Sequence, residues 1–117
     1  MSEKSVKIQR TEALLIELIM EALGTLEDSR LHGVTVTAVD LSRGKSDADV
    51  YIDGTDLDDA EQKTLIVQLS KAAGAVSRYC LASEGWYKMP KLHFKIDTTM
   101  EHANRIEALF KAIKSND

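Results

Sequence analysis

Three histidines and the carboxylates near them are the residues best suited to acid–base chemistry. A histidine titrates near neutral pH, and it becomes catalytic when a nucleophile or a carboxylate is held beside it. No GxSxG, P-loop, HExxH or GxGxxG motif occurs to supply a nucleophile, a metal site or a phosphate loop. We therefore predict that the protein is not an enzyme. The residues considered are His32, His93, His102, Asp28, Asp97 and Glu101.

The single cysteine limits metal and redox chemistry. Cys80 has no second cysteine with which to form a disulfide, and no Cys/His spacing resembles a zinc site. No other motif indicates a bound cofactor. The sequence therefore predicts no metal, no cofactor and no small-molecule substrate.

Basic residues around a glycine in a helical stretch could instead bind phosphate. Lys71 and Arg78 flank Ala72, Ala73 and Gly74, and both lie off the apolar stripe of that stretch. A glycine inside a helix costs about 1 kcal/mol relative to alanine, so Gly74 indicates two helices that meet at a kink. The second helix would present free N–H groups to a phosphate backbone. The same small residues could also serve only to let the two helices cross closely.

Other cations are candidates for RNA contact, although each alone could be ordinary surface charge. Trp86 and Tyr87 could stack on bases or pack in the core, and packing is the commoner role of aromatic side chains. Residues 47–61 carry seven carboxylates and no basic residue, so this acidic edge should repel RNA and help to orient its binding. The further candidate cations are Arg43, Lys45, Lys88 and Lys91.

Length and composition indicate one globular domain. The chain has 117 residues, of which 44% are hydrophobic and 29% charged, and this balance supports one packed core. The apolar run over 13–20 is too short to span a bilayer and the start lacks a signal peptide, so we expect a cytoplasmic monomer. The net charge of -4 and the pI near 5.4 argue against indiscriminate coating of nucleic acid, so RNA would need a local basic patch.

The spacing of apolar residues predicts the elements that must position these side chains. The first strand shows a phase slip between Val36 and Val39, which indicates a bulge or burial on both faces. Asp58 and Glu61 form a start that resembles a capping box. The predicted elements, in order, are a helix over 6–23, strands over 34–42 and 48–52 that form a hairpin, two helices over 58–80 that meet at Gly74, a strand over 92–96 and a helix over 103–113.

The order α-β-β-α-α-β-α resembles a type II KH domain, an α/β module that binds RNA. The GxxG loop that usually joins its paired helices is absent, and residues 69–78 resemble instead the AxG kink of the ribosome-binding factor A family. The resemblance extends over nearly the whole chain. The motifs that carry it lie at 28–31, 34–37, 40–43, 48–51, 89–94, 97, 100–101 and 105–109.

Two positions depart from the family pattern. Ser29 replaces the proline of the family's Asp-Pro-Arg-Leu motif and leaves Arg30 available. Residues 83–88 have the sequence Ser-Glu-Gly-Trp-Tyr-Lys, where the family is commonly rich in arginine.

The resemblance implies one α+β, type II KH-like domain over residues 1–117, frayed at 1–4 and 115–117, with helices packed on one face of a three-stranded sheet. It implies a non-catalytic factor that binds the free 30S ribosomal subunit and its 16S rRNA, assists late 16S rRNA processing and matters most for growth in the cold. The alternative is a small α/β protein-interaction module without RNA binding. The RNA-binding residues that we predict are Lys71, Ala72, Ala73, Gly74, Arg78, Arg30, Arg43, Lys45, Lys88 and Lys91.

Overall fold

The computed structural model describes residues 5–84 and 88–98. The predicted helix over 103–113, the frayed ends, His102, Trp86 and Tyr87 lie outside these residues. A short 3-10 turn, Ser29–Leu31, precedes the sheet. The helices and strands are α1 (Val6–Gly24), β1 (Val36–Leu41), β2 (Asp47–Asp53), α2 (Asp59–Glu84) and β3 (Lys91–Asp97).

The three strands form one sheet in the order β1-β2-β3. β1 and β2 are antiparallel and form the predicted hairpin, and a register shift between Val36 and Ala38 shows that the phase slip is a bulge, one of its two predicted explanations. β2 and β3 are parallel, and α2 is the crossover that such a pair requires. The described order is consistent with the KH-like arrangement.

Both helices pack on one face of the sheet. Along β2, Ala48, Val50 and Ile52 are fully buried while Asp47 and Asp49 point to the other face, which is the period of two that the sequence predicted. α1 packs against β1 and α2 against β3, and the two helices contact each other. The α+β class and the three-stranded sheet are therefore confirmed. The largest fully buried side chains are those of Leu15, Ile19, Leu23, Ile52, Leu69, Val50, Val76 and Cys80.

The start of α2 is a reciprocal capping box. The Glu61 backbone N–H donates to the Asp58 carboxylate at 2.7 Å, and the Asp58 backbone N–H donates to the Glu61 carboxylate at 3.1 Å. Both bonds satisfy backbone groups that the first turn of a helix leaves unpaired. The capping interpretation of the sequence is confirmed.

The prediction of two helices that meet at Gly74 is wrong, because α2 runs without a break from Asp59 to Glu84. A β-carbon built on Gly74 would meet, among the described atoms, only Nη1 of Arg78, at 3.5 Å. Gly74 is exposed and does not lie where two helices cross. Packing of the apolar side of α2 therefore outweighs the low helix propensity of one glycine.

Shortening a buried side chain of α2 should destabilise the protein far more than shortening an exposed one. Leu69 is fully buried, and Val67 on the same helix is 50% exposed. We expect Leu69→Ala to lower the free energy of unfolding by about 2–5 kcal/mol through lost burial and a residual cavity. Val67→Ala should change it by about 0.5 kcal/mol or less. Urea denaturation measures both, and equal effects would contradict the assigned core.

Alanine substitutions at two glycines should have opposite signs. Gly74→Ala should raise the free energy of unfolding by up to about 1 kcal/mol, because the added methyl group meets only a flexible side-chain end. Gly54→Ala should lower it by about 1–3 kcal/mol, because the new β-carbon would lie 2.9 Å from Cγ2 of Ile96. Urea denaturation measures both changes, because the midpoint of each variant can be compared with that of the parent protein. Destabilisation by Gly74→Ala would mean that the glycine has a packing role.

Candidate nucleic-acid interface

Four predicted cations lie at one end of the sheet, which we call the hairpin end. Arg43 and Lys45 belong to the turn between β1 and β2, while Lys88 and Lys91 lie just before and at the start of β3. The parallel register joins them, because the Lys91 backbone N–H donates to the Ser46 carbonyl at 2.9 Å. All four residues are exposed. The hairpin end therefore presents positive charge from two separate parts of the chain.

The turn at the hairpin end is held in a defined conformation. Lys45 has a φ of 57°, a left-handed value that is uncommon for residues other than glycine. Its N–H donates to the Ser42 carbonyl at 2.9 Å, and the Ser42 hydroxyl accepts from the backbone N–H groups of Ser46 and Asp47. These bonds fix the backbone of the turn, so its basic side chains extend from a well-defined backbone conformation.

A second group of candidates forms an exposed stripe on α2. Lys71, Gly74 and Arg78 are exposed, and the Arg78 guanidinium lies over the surface that Gly74 leaves open. Ala72 and Ala73 are half-buried against the hydrophobic core. The α2 stripe of Lys71, Gly74 and Arg78 can therefore meet a ligand, while the two alanines pack the helix onto the domain.

Arg30 lies away from both groups. It belongs to the 3-10 turn near the start of β1, at the opposite end of the sheet from the hairpin. Its Nε and Nη2 donate to the two oxygens of Asp28 at 3.0 and 2.9 Å. This side-chain hydrogen bond lowers the pKa of Asp28 and raises that of Arg30. The positive charge of Arg30 is therefore already matched by a carboxylate.

The open face of the sheet also carries side-chain pairs that join β2 to β3. Nζ of Lys95 lies 3.1 Å from Asp49, and Nε2 of His93 lies 2.8 Å from Asp47. The hydrogen bond to Asp49 raises the pKa of Lys95, and the one to His93 lowers the pKa of Asp47. These pairs link β2 to β3 across the parallel register. Within residues 5–84 and 88–98, the candidates that make no such ion pair are Arg43, Lys45, Lys71, Arg78, Lys88 and Lys91.

Among the residues considered for catalysis, His102 and Glu101 lie outside the described residues, while His32 and His93 have structural partners. His32 contacts the Leu26 carbonyl through Nε2 at 2.5 Å, while His93 lies on the open sheet face. Cys80 is buried, and burial, with a smaller effect of Glu21, raises the pKa of its thiol to about 11. A thiol with that pKa is almost entirely protonated at neutral pH, so it is a poor nucleophile. The described residues thus place no two of these groups in one catalytic arrangement.

Among residues 5–84 and 88–98, no group of three or more His, Cys, Asp or Glu residues is arranged to hold a metal ion. None of the described helices is both long and apolar enough to cross a membrane.

The sequence indicated most of these cations but not their arrangement. A local signal for the Arg30 pair existed, because Asp28 lies two residues before it and caps the same turn. The proximity of Lys91 to the hairpin turn had no such signal, since it follows from strand register. The left-handed conformation of Lys45 was likewise visible only in the structure.

A family model and full-length relatives both connect this chain to one protein family. The family model described as Ribosome-binding factor A matches residues 7–110. A ribosome-binding factor A from Wolinella succinogenes is 46% identical over 114 residues, which are 97% of this chain and 96% of that protein.

Two related structures share the fold. The crystal structure of ribosome-binding factor A from Thermus thermophilus is 28% identical, with a TM-score of 0.64 over 75% of this chain and 93% of that one. A homology model of the Thermus thermophilus factor, fitted into a cryo-EM map of its complex with the 30S subunit, has a TM-score of 0.59 at 28% identity. It covers 74% of this chain and 91% of that one. The family match over most of the chain, the near full-length identity and the shared fold together establish that this chain belongs to the ribosome-binding factor A family.

Proposed function

We propose that this protein binds the free 30S ribosomal subunit, contacts its 16S rRNA and assists late 16S rRNA processing without catalysing a reaction. The observation that carries the proposal is its structural similarity to a family member whose model was fitted into a complex with the 30S subunit. The proposal includes a cytoplasmic location, a monomeric state and a greater need for the protein during growth in the cold. The family's resemblance to KH domains supports RNA as the ligand.

The proposed RNA interface consists of the hairpin end and the α2 stripe. RNA binding depends largely on cations that replace the counterions of phosphates, and a cation already paired with a carboxylate has less to contribute. Within the described residues, the cations of these two groups are exposed and none makes a direct ion pair, while Lys91 lies across from Asp47 in the parallel register and interacts with its charge. With a net charge of -4 for the whole chain, binding has to be local and oriented.

The other candidates enter the proposal in different roles. Arg30 would have to give up its two bonds to Asp28 before it could bind a phosphate, so we expect only a minor contribution from it. Ala72 and Ala73 support the α2 stripe from the core side. A phosphate that approaches Gly74 would meet the Arg78 guanidinium rather than an open helix N-terminus, because α2 is continuous there.

Co-sedimentation with ribosomal particles tests the proposed partner. We expect the protein to sediment with isolated 30S subunits and not with isolated 50S subunits or complete ribosomes. Binding to 30S particles should survive partial removal of ribosomal proteins and be lost on digestion of the rRNA. Binding that follows the proteins instead would favour the alternative, a protein-interaction module without RNA contact.

Reversing charge on the α2 stripe tests the proposed interface. The double variant Lys71→Glu, Arg78→Glu should bind 30S subunits more weakly and with less salt dependence. Each lost phosphate contact should remove roughly 0.7–0.9 from the slope of log affinity against log salt. A salt titration of 30S binding measures this slope, and circular dichroism verifies the fold.

Lys63→Glu is the matched control for the single variant Lys71→Glu. Both lysines are exposed on α2, but Lys63 lies in its acidic first turns, away from the stripe. We expect Lys63→Glu to leave the affinity and the salt slope nearly unchanged. If folded stripe variants bind as the control does, the stripe is not part of the interface, and Arg43→Glu with Lys91→Glu tests the hairpin end separately.

A further inference from the structure

A carboxylate interrupts the apolar stripe of α1. Ile8, Leu15 and Ile19 lie on the side of this helix that faces the core. Glu12 stands between Ile8 and Leu15, where the helical spacing would place another apolar side chain, and it is half-buried. A carboxylate in such a position costs folding free energy unless hydrogen bonds satisfy it. The group to which Glu12 bonds therefore indicates its role.

Glu12 binds the end of β1. Its Oε2 accepts a hydrogen bond from the backbone N–H of Leu41, the last residue of that strand, at 2.8 Å. β1 lies at one edge of the sheet. Because Ser42 donates its N–H to the Asp47 carbonyl, the alternation of an antiparallel pair points the Leu41 N–H away from β2. The bond therefore ties α1 to the outer edge of β1, and its charged acceptor makes it stronger than a neutral one would.

The turn of the hairpin end begins at the residue after this bond. The Ser42 carbonyl accepts from the Lys45 N–H at 2.9 Å, and the Ser42 hydroxyl accepts from the Ser46 N–H at 3.2 Å. The Ser46 carbonyl accepts in turn from the Lys91 N–H at 2.9 Å. Glu12 thus lies at one end of a connected series of bonds that leads from α1 through the turn to the start of β3.

We infer that Glu12 is a positioning residue for RNA binding: it anchors the hairpin turn to α1 and so holds Arg43, Lys45 and Lys91 in place before a phosphate arrives. This inference rests on the proposed function, because it gives Glu12 a role in RNA binding. Glu12 acts through Leu41 and does not have to touch RNA. A ligand that meets cations on a fixed turn does not have to order that turn, which lowers the free-energy cost of binding.

Two substitutions at Glu12 separate position from charge. Glu12→Ala and Glu12→Gln both remove a negative charge, but only glutamine keeps a side-chain oxygen that can accept from the Leu41 N–H. If Glu12 acted through its charge alone, both variants would bind 30S subunits at least as tightly as the parent protein does. We expect instead that Glu12→Ala binds roughly three- to tenfold more weakly, while Glu12→Gln retains the parent affinity.

Glu17→Ala is the matched control. Glu17 lies on the same helix and is exposed, so its substitution removes the same charge without loss of the bond to Leu41. The control should bind 30S subunits with the parent affinity.

Amide hydrogen exchange on the same proteins, without ribosomal particles, reports on the turn itself. In Glu12→Ala, the amides of Leu41, Lys45 and Ser46 should exchange at least roughly tenfold faster than in the parent. Exchange at Leu69, in the middle of α2, reports on global unfolding, and the three amides should lose more protection than Leu69 does. Glu12→Gln and Glu17→Ala should keep the parent pattern.

A folded Glu12→Ala variant that binds 30S subunits as tightly as the parent would overturn the inference. Equal loss of protection at Leu69 and at the three amides would overturn it too, because Glu12 would then only stabilise the whole domain. Weak binding that glutamine does not restore would count against the anchoring bond. If the parent protein itself does not bind 30S subunits, the proposed function fails and with it the RNA role of Glu12, whereas amide exchange still decides whether Glu12 holds the turn.

Discussion

The parallel pairing of β2 with β3 is the constraint on which the rest of this structure depends. Two parallel neighbours cannot be joined by a tight turn, so the chain has to return along the sheet before β3 begins. α2 makes that return and buries Leu69, Val76 and Cys80 against the sheet while doing so. The same pairing sets Lys91 beside the β1–β2 turn and Asp97 beside Asp53. The register of this one strand pair therefore determines which side chains are neighbours at both ends of the sheet.

That register also separates the charges of the protein. At the hairpin end, the register places cations from two stretches of the chain next to each other. The acidic segment that connects β2 to α2 lies at the other end of the sheet. On the open face it pairs Lys95 with Asp49 in an ion pair and brings His93 within hydrogen-bond distance of Asp47. An acidic chain can therefore present positive charge locally, which is what the proposed RNA contact needs.

At Gly74, the interpretation suggested by the family resemblance differs from the local structure. The AxG segment suggested a break between two helices, yet α2 is continuous and the glycine faces solvent beneath the Arg78 guanidinium. A β-carbon at this position would make only ordinary van der Waals contact with Arg78, so neither packing nor the arginine requires a glycine here. The two alanines before it serve the core, so one short motif contributes to packing and to the exposed stripe at once.

The sequence by itself determined the α+β class, the hairpin and the capping box at Asp58 and Glu61, and it showed a phase slip after Val36 that a bulge or burial on both faces would explain. Each of these follows from the spacing of apolar residues or from hydrogen bonds between residues a few positions apart. Such patterns depend only on short segments of the sequence. It also indicated which cations to consider. Only the tertiary structure decided which of them are exposed together, which are matched by a carboxylate, and that α2 does not break at Gly74. Those outcomes depend on strand register and on packing between distant segments, and no local spacing encodes them.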